Sequence, residues 1–195
     1  WLSRSSTPLF ALVLSLLIPT SLAYGHGEVS NYEEDVEAMY IAYYGRPGDP
    51  AGVEFWAEEL AAVEGDLSEI IDAFGNSTEY NQRFAEYGTN ELIDNLYQQL
   101  FGRNADDQGR GFYAELLQTG QRSLASIALD IYNGAQGLDA LIIENKMAVA
   151  HSFTDHVLDN ALDYGDGQID AARALLASVS ETNDSVAQAA AVLED

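Results

Sequence analysis

The residues of this 195-residue chain with the clearest chemical potential occur in two matching sets, one beginning at Tyr40 and the other at Tyr97. Each set has a Gly-Arg pair, an aspartate, a further glycine and an aromatic pair at the same offsets. An arginine and an aspartate can form a hydrogen-bonded ion pair, and glycine permits a left-handed backbone or a close approach of two helices. The positions are Gly45, Arg46, Asp49, Gly52 and Trp56 in the first set, and Gly102, Arg103, Asp106, Gly109 and Tyr113 in the second.

The spacing within each set predicts a tight corner between two helices. Gly45 follows the last residue of an apolar stripe, where a left-handed C-cap favours glycine. Asp49 followed by Pro50 is typical of an N-cap with proline at the first helical position. The glycine three residues after the aspartate lets the first helix approach closely. Arg46 is expected to lie beside the carbonyls that end the first helix and to reach the capping aspartate. The aromatic pairs are expected to face back into the core: Phe55 with Trp56, and Phe112 with Tyr113.

A calcium-binding loop formed by Asp163, Asp166 and Asp170 is the sharpest metal candidate. An EF-hand loop has glycine at position 6 and a bidentate glutamate at position 12. Placing Gly167 at position 6 aligns Asp166 and Asp170 with ligand positions but puts Arg173 at position 12. The segment is therefore either a calcium site or a helix-breaking turn with an aspartate cap.

The remaining candidates for chemistry are weaker. The row Asp155, Asp159 and Asp163 is either a cation ladder or a solvated helix face. His151 and His156 are five residues apart, whereas a zinc protease needs histidines four apart with an intervening glutamate. No nucleophile elbow, phosphate loop or dinucleotide fingerprint is present. These observations favour a protein that is not an enzyme.

The aromatic residues outside the two sets offer a binding role. Tyr is abundant, with eleven in the chain. Most of these side chains fit a buried helical stripe, but Tyr80 and Tyr87 are expected to line an exposed groove. Exposed aromatic rings can stack on sugars or on a partner protein.

The composition narrows the classes of partner. Eight Lys and Arg stand against 32 Asp and Glu, for a net charge of −24. Such a chain repels phosphate backbones and anionic lipid, and attracts calcium or cationic surfaces. Nucleic acid is therefore excluded as a partner. The chain has no cysteine, so disulfides and thiolate chemistry are excluded too.

The hydrophobic pattern predicts an all-α fold. Apolar residues recur with the helical period in both sets, and no segment shows the sustained alternation of a strand. A repeated unit buries its apolar face against its neighbour, so the two copies are expected to form one body. The predicted organisation is a tandem-repeat domain over 33–137, with copies at about 33–88 and 89–137, followed by a C-terminal helical extension over 138–195 packed on it.

The N-terminal segment 1–23 has the pattern of a signal peptide. Arg4 supplies a positive charge, Leu9 to Ile18 is apolar, and Ser21-Leu22-Ala23 resembles a cleavage site. The alternative is an uncleaved anchor. Cleavage leaves a polar leader over 24–32 and a mature chain without a transmembrane span, which predicts export to the cell surface or beyond.

The chain resembles the bacterial domain-of-unknown-function family numbered 4214. The resemblance is carried by the Gly-Arg opening, Asp49 to Gly52, Phe55-Trp56 and the segment from Phe74 to Tyr80. The unit is also similar to phycobilisome linker repeats. Copy two departs from the pattern, with Asn133 to Gly137 in place of the closing Asn-Ser-x-Glu-Tyr, so copy two is expected to complete the core while any surface function lies on copy one.

The resemblance implies a secreted, non-catalytic module for scaffolding or for interaction with the cell surface or matrix. Its partner would be a protein or glycan of the envelope or extracellular matrix, with calcium as the one candidate cofactor. Two alternatives stay open, namely a calcium-binding extracellular protein and an extracellular polysaccharide hydrolase.

Overall fold

The computed structural model describes residues 26–194, with side chains from Tyr32 onward except those of Asp166 and Glu194. This part of the chain forms ten helices and no strand, which confirms the all-α prediction. The predicted signal peptide lies outside the described residues. The helices are α1 (His26–Tyr44), α2 (Pro50–Ala62), α3 (Ser68–Gly75), α4 (Thr78–Phe84), α5 (Thr89–Phe101), α6 (Asp107–Gln118), α7 (Leu124–Asn133), α8 (Leu138–Asp159), α9 (Asp166–Ala177) and α10 (Asn183–Glu194).

The repeat unit consists of four helices. Helices α1 to α4 form copy one, and α5 to α7 with the start of α8 form copy two. The second helix of each copy begins with the same local signal, because an aspartate caps α2 and α6 by accepting from the backbone N–H three residues later. Serine caps α4 and α7 in the same way, but these are the fourth helix of copy one and the third of copy two. Four helices counted from α5 place the beginning of α8 in copy two, which extends that copy beyond residue 137.

Helix α1 lies at the centre of the molecule. Between Val36 and Gly48 every residue except Ala38 is buried, and a helix that is apolar on nearly all sides must be enclosed by others. It contacts α2 and α4 of its own copy and α5, α7 and α8 of the other. The two copies therefore share one core.

An aromatic cluster fills the core of copy one. The ring of Phe74 lies 4.9 Å from those of Tyr40 and Tyr44, and 5.7 and 5.8 Å from those of Tyr43 and Trp56. Edge-on and offset arrangements of this kind add to the free energy of burial. Three of the eleven tyrosines belong to this cluster.

The C-terminal extension packs back onto the repeats. Helix α10 lies along α8, and Leu176 of α9, Val179 of the following loop and Ala189 of α10 are buried. Asn145 of α8 donates to the Ser180 carbonyl at 2.8 Å. No helix of the described residues is long and apolar enough to cross a membrane.

One boundary differs from the sequence-based expectation. Helix α1 begins at His26, inside the segment 24–32 that reads as a polar leader. The sequence lacks an apolar stripe there.

Candidate functional site

The corner between α1 and α2 has the geometry that its residue spacing predicts. Gly45 has a φ of +65°, and its N–H donates to the Ile41 carbonyl at 3.1 Å. Asp49 accepts from the Gly52 N–H at 2.8 Å and from the Tyr40 hydroxyl at 3.0 Å. A Cβ on Gly52 would overlap the Tyr40 hydroxyl oxygen. Glycine is therefore required for α1 to approach the first turn of α2.

The guanidinium of Arg46 binds Glu79, not the capping aspartate that the sequence analysis expected. Its Nε and Nη2 donate to the two carboxylate oxygens of Glu79 at 2.9 and 2.8 Å. It also lies over the rings of Tyr40 and Tyr44, 5.1 and 5.2 Å from their centroids. The expectation was wrong because both oxygens of Asp49 already accept from other donors. Burial lowers the pKa of Arg46, but its hydrogen bonds to Glu79 and Tyr164 and the nearby negative charge outweigh this and raise it.

The C-terminal extension covers this first corner, which we define as Tyr40, Tyr44, Arg46 and Glu79. The Tyr164 hydroxyl donates to the Pro47 carbonyl at 3.0 Å and lies 3.2 Å from Arg46 Nη1. Arg173 of α9 donates to the Tyr44 carbonyl at 3.1 Å and to Glu79 Oε1 at 2.9 Å. The Arg46 side chain is consequently only 7% exposed.

The corresponding corner of copy two, which we call the second corner, consists of Tyr97, Phe101, Arg103 and Asp139. Arg103 donates through Nε and Nη2 to the two oxygens of Asp139, and lies over the rings of Tyr97 and Phe101. Its Nη1 donates to the carbonyl of the next residue, Asn104, as Arg46 Nη1 donates to the carbonyl of Pro47. The arrangement is the same, but the Arg103 side chain is 45% exposed.

Sequence reasoning missed the carboxylate of each ion pair. Glu79 and Asp139 are each the second residue of the fourth helix of their copy, α4 and α8. They are 33 and 36 residues after their arginines, so a fixed repeat offset does not align them. Asp139 could have been found as an acidic residue in the first turn of α8. It lies three residues after the position that the repeat offset aligns with Glu79.

A second acidic position repeats at a fixed offset and was also missed. Glu37 on α1 accepts from the Gly48 N–H at 2.9 Å, and Asp94 on α5 accepts from the Ala105 N–H at 3.1 Å. Asp94 also binds Arg110, whereas Glu37 accepts from the Thr154 hydroxyl at 2.7 Å. Burial raises the pKa of Glu37, while its hydrogen bonds and nearby cations oppose that rise.

Glu37 lies at the inner end of a cleft of about 550 Å³ between α1, α2 and α8. Four further carboxylates and one histidine line this cleft, namely Glu33, Glu34, Glu54, Asp155 and His151. Both oxygens of Glu37 accept hydrogen bonds from the protein itself, so this carboxylate ties α1 to the corner loop and to α8.

Lys146 on α8 is a buried cation that the sequence analysis did not single out. Its Nζ donates to the Gln99 carbonyl near the end of α5 at 2.7 Å, and burial lowers its pKa to about 8. A cation at a helix C-terminus is favourable. Copy one has a comparable contact, because Arg83 of α4 donates to the Tyr44 carbonyl.

The candidate calcium ligands do not form a site among the described side chains. Asp170 accepts from Arg173 Nη1 at 2.7 Å, so its carboxylate already has a cation. Asp166 begins α9, and its side chain is not among those described. Asp163 lies in the turn before it. Within the part of the chain that the structure describes, no three acidic or histidine side chains are grouped to hold a metal ion.

The expected aromatic groove is not formed. Tyr80 is buried against Tyr43 and Phe84, so it cannot contact a partner, whereas Tyr87 is exposed. The expectation failed for Tyr80 because α4 turns that residue toward α1. The aromatic pairs after each corner are also split: Trp56 and Tyr113 pack on the core, while Phe55 and Phe112 point to solvent.

The fold and its two corners define an all-α protein built from two tandem four-helix repeats. The model of the family described as Domain of unknown function (DUF4214) matches residues 21–84 and 72–135. These matches cover more than half of the chain, and the chain belongs to this family. The resemblance inferred from the sequence is thereby confirmed, but the similarity to phycobilisome linker repeats is not. No curated protein and no solved structure matches the chain.

Proposed function

We propose that the protein is an exported, non-catalytic module that binds a protein or glycan of the cell envelope or extracellular matrix. One observation carries the proposal: the buried charged side chains of the described residues are held by internal hydrogen bonds. Arg46 binds Glu79, Lys146 binds a backbone carbonyl, and Glu37 binds Thr154 and Gly48. Groups of this kind stabilise the fold and leave the exposed surface for binding.

The charge of that surface supports a cationic partner. With 32 acidic and eight basic residues, most carboxylates have no arginine or lysine to pair with. A surface of this charge attracts basic segments or cation-bridged polymers and repels nucleic acid. Calcium bridging between these carboxylates and the envelope is part of the proposal and rests on the charge alone.

Co-sedimentation with cell envelopes of the source organism tests this function. The purified protein is mixed with envelopes in calcium, in magnesium and in chelator. We expect pelleting that calcium strengthens and high salt weakens, because exposed charges are screened within a Debye length. Failure to pellet in all three buffers would contradict an envelope-binding role.

A polysaccharide hydrolase is the second candidate, and the acidic cleft favours it. The cleft brings Glu33, Glu34, Glu54 and Asp155 together beside the buried Glu37, and a glycosidase requires a pair of carboxyl groups that flank its substrate. Turnover of a panel of extracellular polysaccharides, lost in Glu54→Gln or Asp155→Asn, would support this candidate. The absence of turnover by the wild-type protein would contradict the hydrolase and leave the binding module as the proposed function.

A further inference from the structure

The second corner lacks the cover that the first corner has. In copy one, Tyr164 and Arg173 close the ion pair of Arg46 and Glu79 from outside. In copy two, Arg103 and Asp139 form the same pair, yet no later segment among the described residues donates to either side chain. The exposed fractions of the two arginine side chains, 7% and 45%, express this difference.

The second corner also has one cation fewer than the first corner. Glu79 accepts from two arginines, Arg46 and Arg173, whereas Asp139 accepts from one cation of the described side chains, Arg103. The carbonyl of Tyr44 at the end of α1 accepts from Arg83 and Arg173. Among the side chains that the structure describes, none donates to the equivalent carbonyl of Phe101. An arginine that approached from outside would find both a carboxylate and a helix-terminal carbonyl there.

The surface beside the second corner is apolar where the first is polar. Leu138 and Leu141 lie one turn apart at the start of α8, and their exposed fractions are 64% and 45%. Aligning Asp139 with Glu79 places Thr78 and Asn81 at the corresponding positions of copy one. Leu138 directly precedes Asp139, and two exposed leucines on one helix face close to a partly exposed ion pair are typical of a contact surface.

We propose that the second corner, with Leu138 and Leu141, docks a helical segment of a partner protein that presents an arginine beside apolar side chains. The arginine binds Asp139 and the Phe101 carbonyl as Arg173 binds Glu79 and the Tyr44 carbonyl. The apolar side chains cover the two leucines. Charge complementarity supports this occupant, because Asp106 adds a further negative charge near Arg103 and the whole chain is acidic.

This inference rests on the proposed function, because it specifies where the module binds its partner and through which groups. It also places the binding surface on copy two. The sequence analysis expected any surface function on copy one, where the structure instead buries the corner beneath the extension.

A pair of synthetic helical peptides tests the surface on the purified protein. One peptide carries leucines on one face with arginines beside them, and the other has glutamine in place of each arginine. Binding is measured by fluorescence anisotropy for the wild type, for Leu138→Ser/Leu141→Ser and for Leu158→Ser/Leu162→Ser. The last variant is the matched control, because Leu158 and Leu162 are 60% and 48% exposed on the other end of α8 and beyond it, and also have acidic neighbours.

We expect the arginine peptide to bind the wild type and the control within about twofold of each other, and the Leu138/Leu141 variant at least about tenfold more weakly. Asp139→Asn should weaken the arginine peptide and leave the glutamine peptide unchanged. Both leucine variants keep the net charge, so nonspecific attraction of the peptide is the same in each. Full binding by the Leu138/Leu141 variant, equal loss in both leucine variants, or no binding by the wild type would overturn the proposal.

Envelope co-sedimentation of the same variants separates this surface from the function it rests on. If the wild type and the Leu138/Leu141 variant pellet equally well, the docking surface is contradicted while the envelope-binding function is supported. Peptide binding at the second corner without envelope pelleting by the wild type supports the surface and contradicts the envelope as partner.

Discussion

Arg46 and Arg103 show how far one residue's role depends on what covers it. Both follow a left-handed glycine, lie over two aromatic rings and bind a carboxylate through two nitrogens. Arg46 is buried and shares Glu79 with Arg173, while Arg103 is nearly half exposed. An ion pair in solvent contributes little to stability, but breaking a buried one leaves a charge without its partner.

The free energy of unfolding should therefore respond very differently to the two arginines. We expect Arg46→Ala to lower it by about 2–4 kcal/mol, because the partly buried Glu79 loses one of its two arginines and the stacking of Arg46 on Tyr40 and Tyr44 is lost. Arg103→Ala should lower it by about 0–1 kcal/mol. Urea denaturation followed by circular dichroism measures both. Equal losses in the two variants would contradict the difference in burial.

Glu37 gives the unfolding free energy a pH dependence of known sign. Burial raises its pKa above the ordinary value of 4.5, although nearby His151 and Arg46 oppose the rise. The folded state therefore holds this proton more tightly than the unfolded state. The stability from this group is fully present below the unfolded-state pKa and is lost as pH rises through the folded-state pKa.

Comparison of the wild type with Glu37→Gln isolates this effect. Glutamine can still accept from Gly48 and hydrogen-bond to Thr154, so the variant should fold. We expect its stability to fall less than that of the wild type as pH rises from about 4.5 to about 7. Parallel stability curves over this range would show that Glu37 keeps an ordinary pKa in the folded protein.

At the scale of elements, the approach of the first two helices of each copy depends on a glycine. In copy one, a Cβ on Gly52 would meet the Tyr40 hydroxyl oxygen and lie 2.8 Å from both oxygens of Asp49. In copy two, a Cβ on Gly109 would lie 3.0 Å from the Tyr97 hydroxyl oxygen, at the movable end of that side chain. The two copies thus differ in how closely their helices pack.

Substitution of three glycines by alanine should distinguish the effect of close packing on stability from the effect of helix propensity. We expect Gly52→Ala to destabilise by about 1–3 kcal/mol through overpacking, and Gly109→Ala to be nearly neutral. Gly111→Ala, where the new Cβ meets nothing within 4 Å inside α6, should stabilise by about 0.5–1 kcal/mol. Thermal unfolding of the three variants checks the order. A stable Gly52→Ala protein would show that α1 and α2 can separate.

At the scale of the whole molecule, one carboxylate of the repeats binds an arginine of the extension as well as an arginine of its own copy. Glu79 of copy one accepts from Arg46 beside it and from Arg173, which is 94 residues further along the chain. The fold therefore connects its C-terminal helices to its first corner by an ion-pair network as well as by apolar packing.

A double-mutant cycle on Arg46 and Arg173 should reveal this coupling. Because both bind Glu79, the effects of Arg46→Ala and Arg173→Ala on unfolding free energy should differ from additivity by about 0.5–3 kcal/mol. Arg46→Ala with Arg103→Ala is the control, since these two arginines share no hydrogen-bond partner. Additive effects in both cycles would show that the extension packs independently of the corner.

The net charge of −24 should make the melting temperature depend on salt. Like charges on the folded surface repel, and ions screen them, so sodium chloride should raise Tm by about 2–4 °C for each kcal/mol of repulsion removed. Calorimetry in sodium, magnesium and calcium chloride at one ionic strength measures it. A larger rise in calcium would indicate specific binding, whereas a Tm that falls with salt would contradict net repulsion.

The corner residues were predictable because their signals are local. A glycine after an apolar stripe, an aspartate before proline and a second glycine three residues later dictate a C-cap, an N-cap and a close approach within a dozen residues. The partner of Arg46 was not predictable in this way, because Glu79 belongs to a different helix and the nearer Asp49 is occupied by Gly52 and Tyr40. Tyr80 was misplaced for the same reason, since its burial depends on how α4 lies against α1.

The sequence by itself determined the helical class, the repeat, the caps and the acidic charge, since each depends on composition or on spacing within a few turns. Only the tertiary structure decided which of two nearly identical corners is covered. Which corner is covered depends on where the C-terminal extension packs. That position is set by contacts between segments more than a hundred residues apart. Because the extension lies on copy one, the arginine of copy one is buried and that of copy two faces solvent.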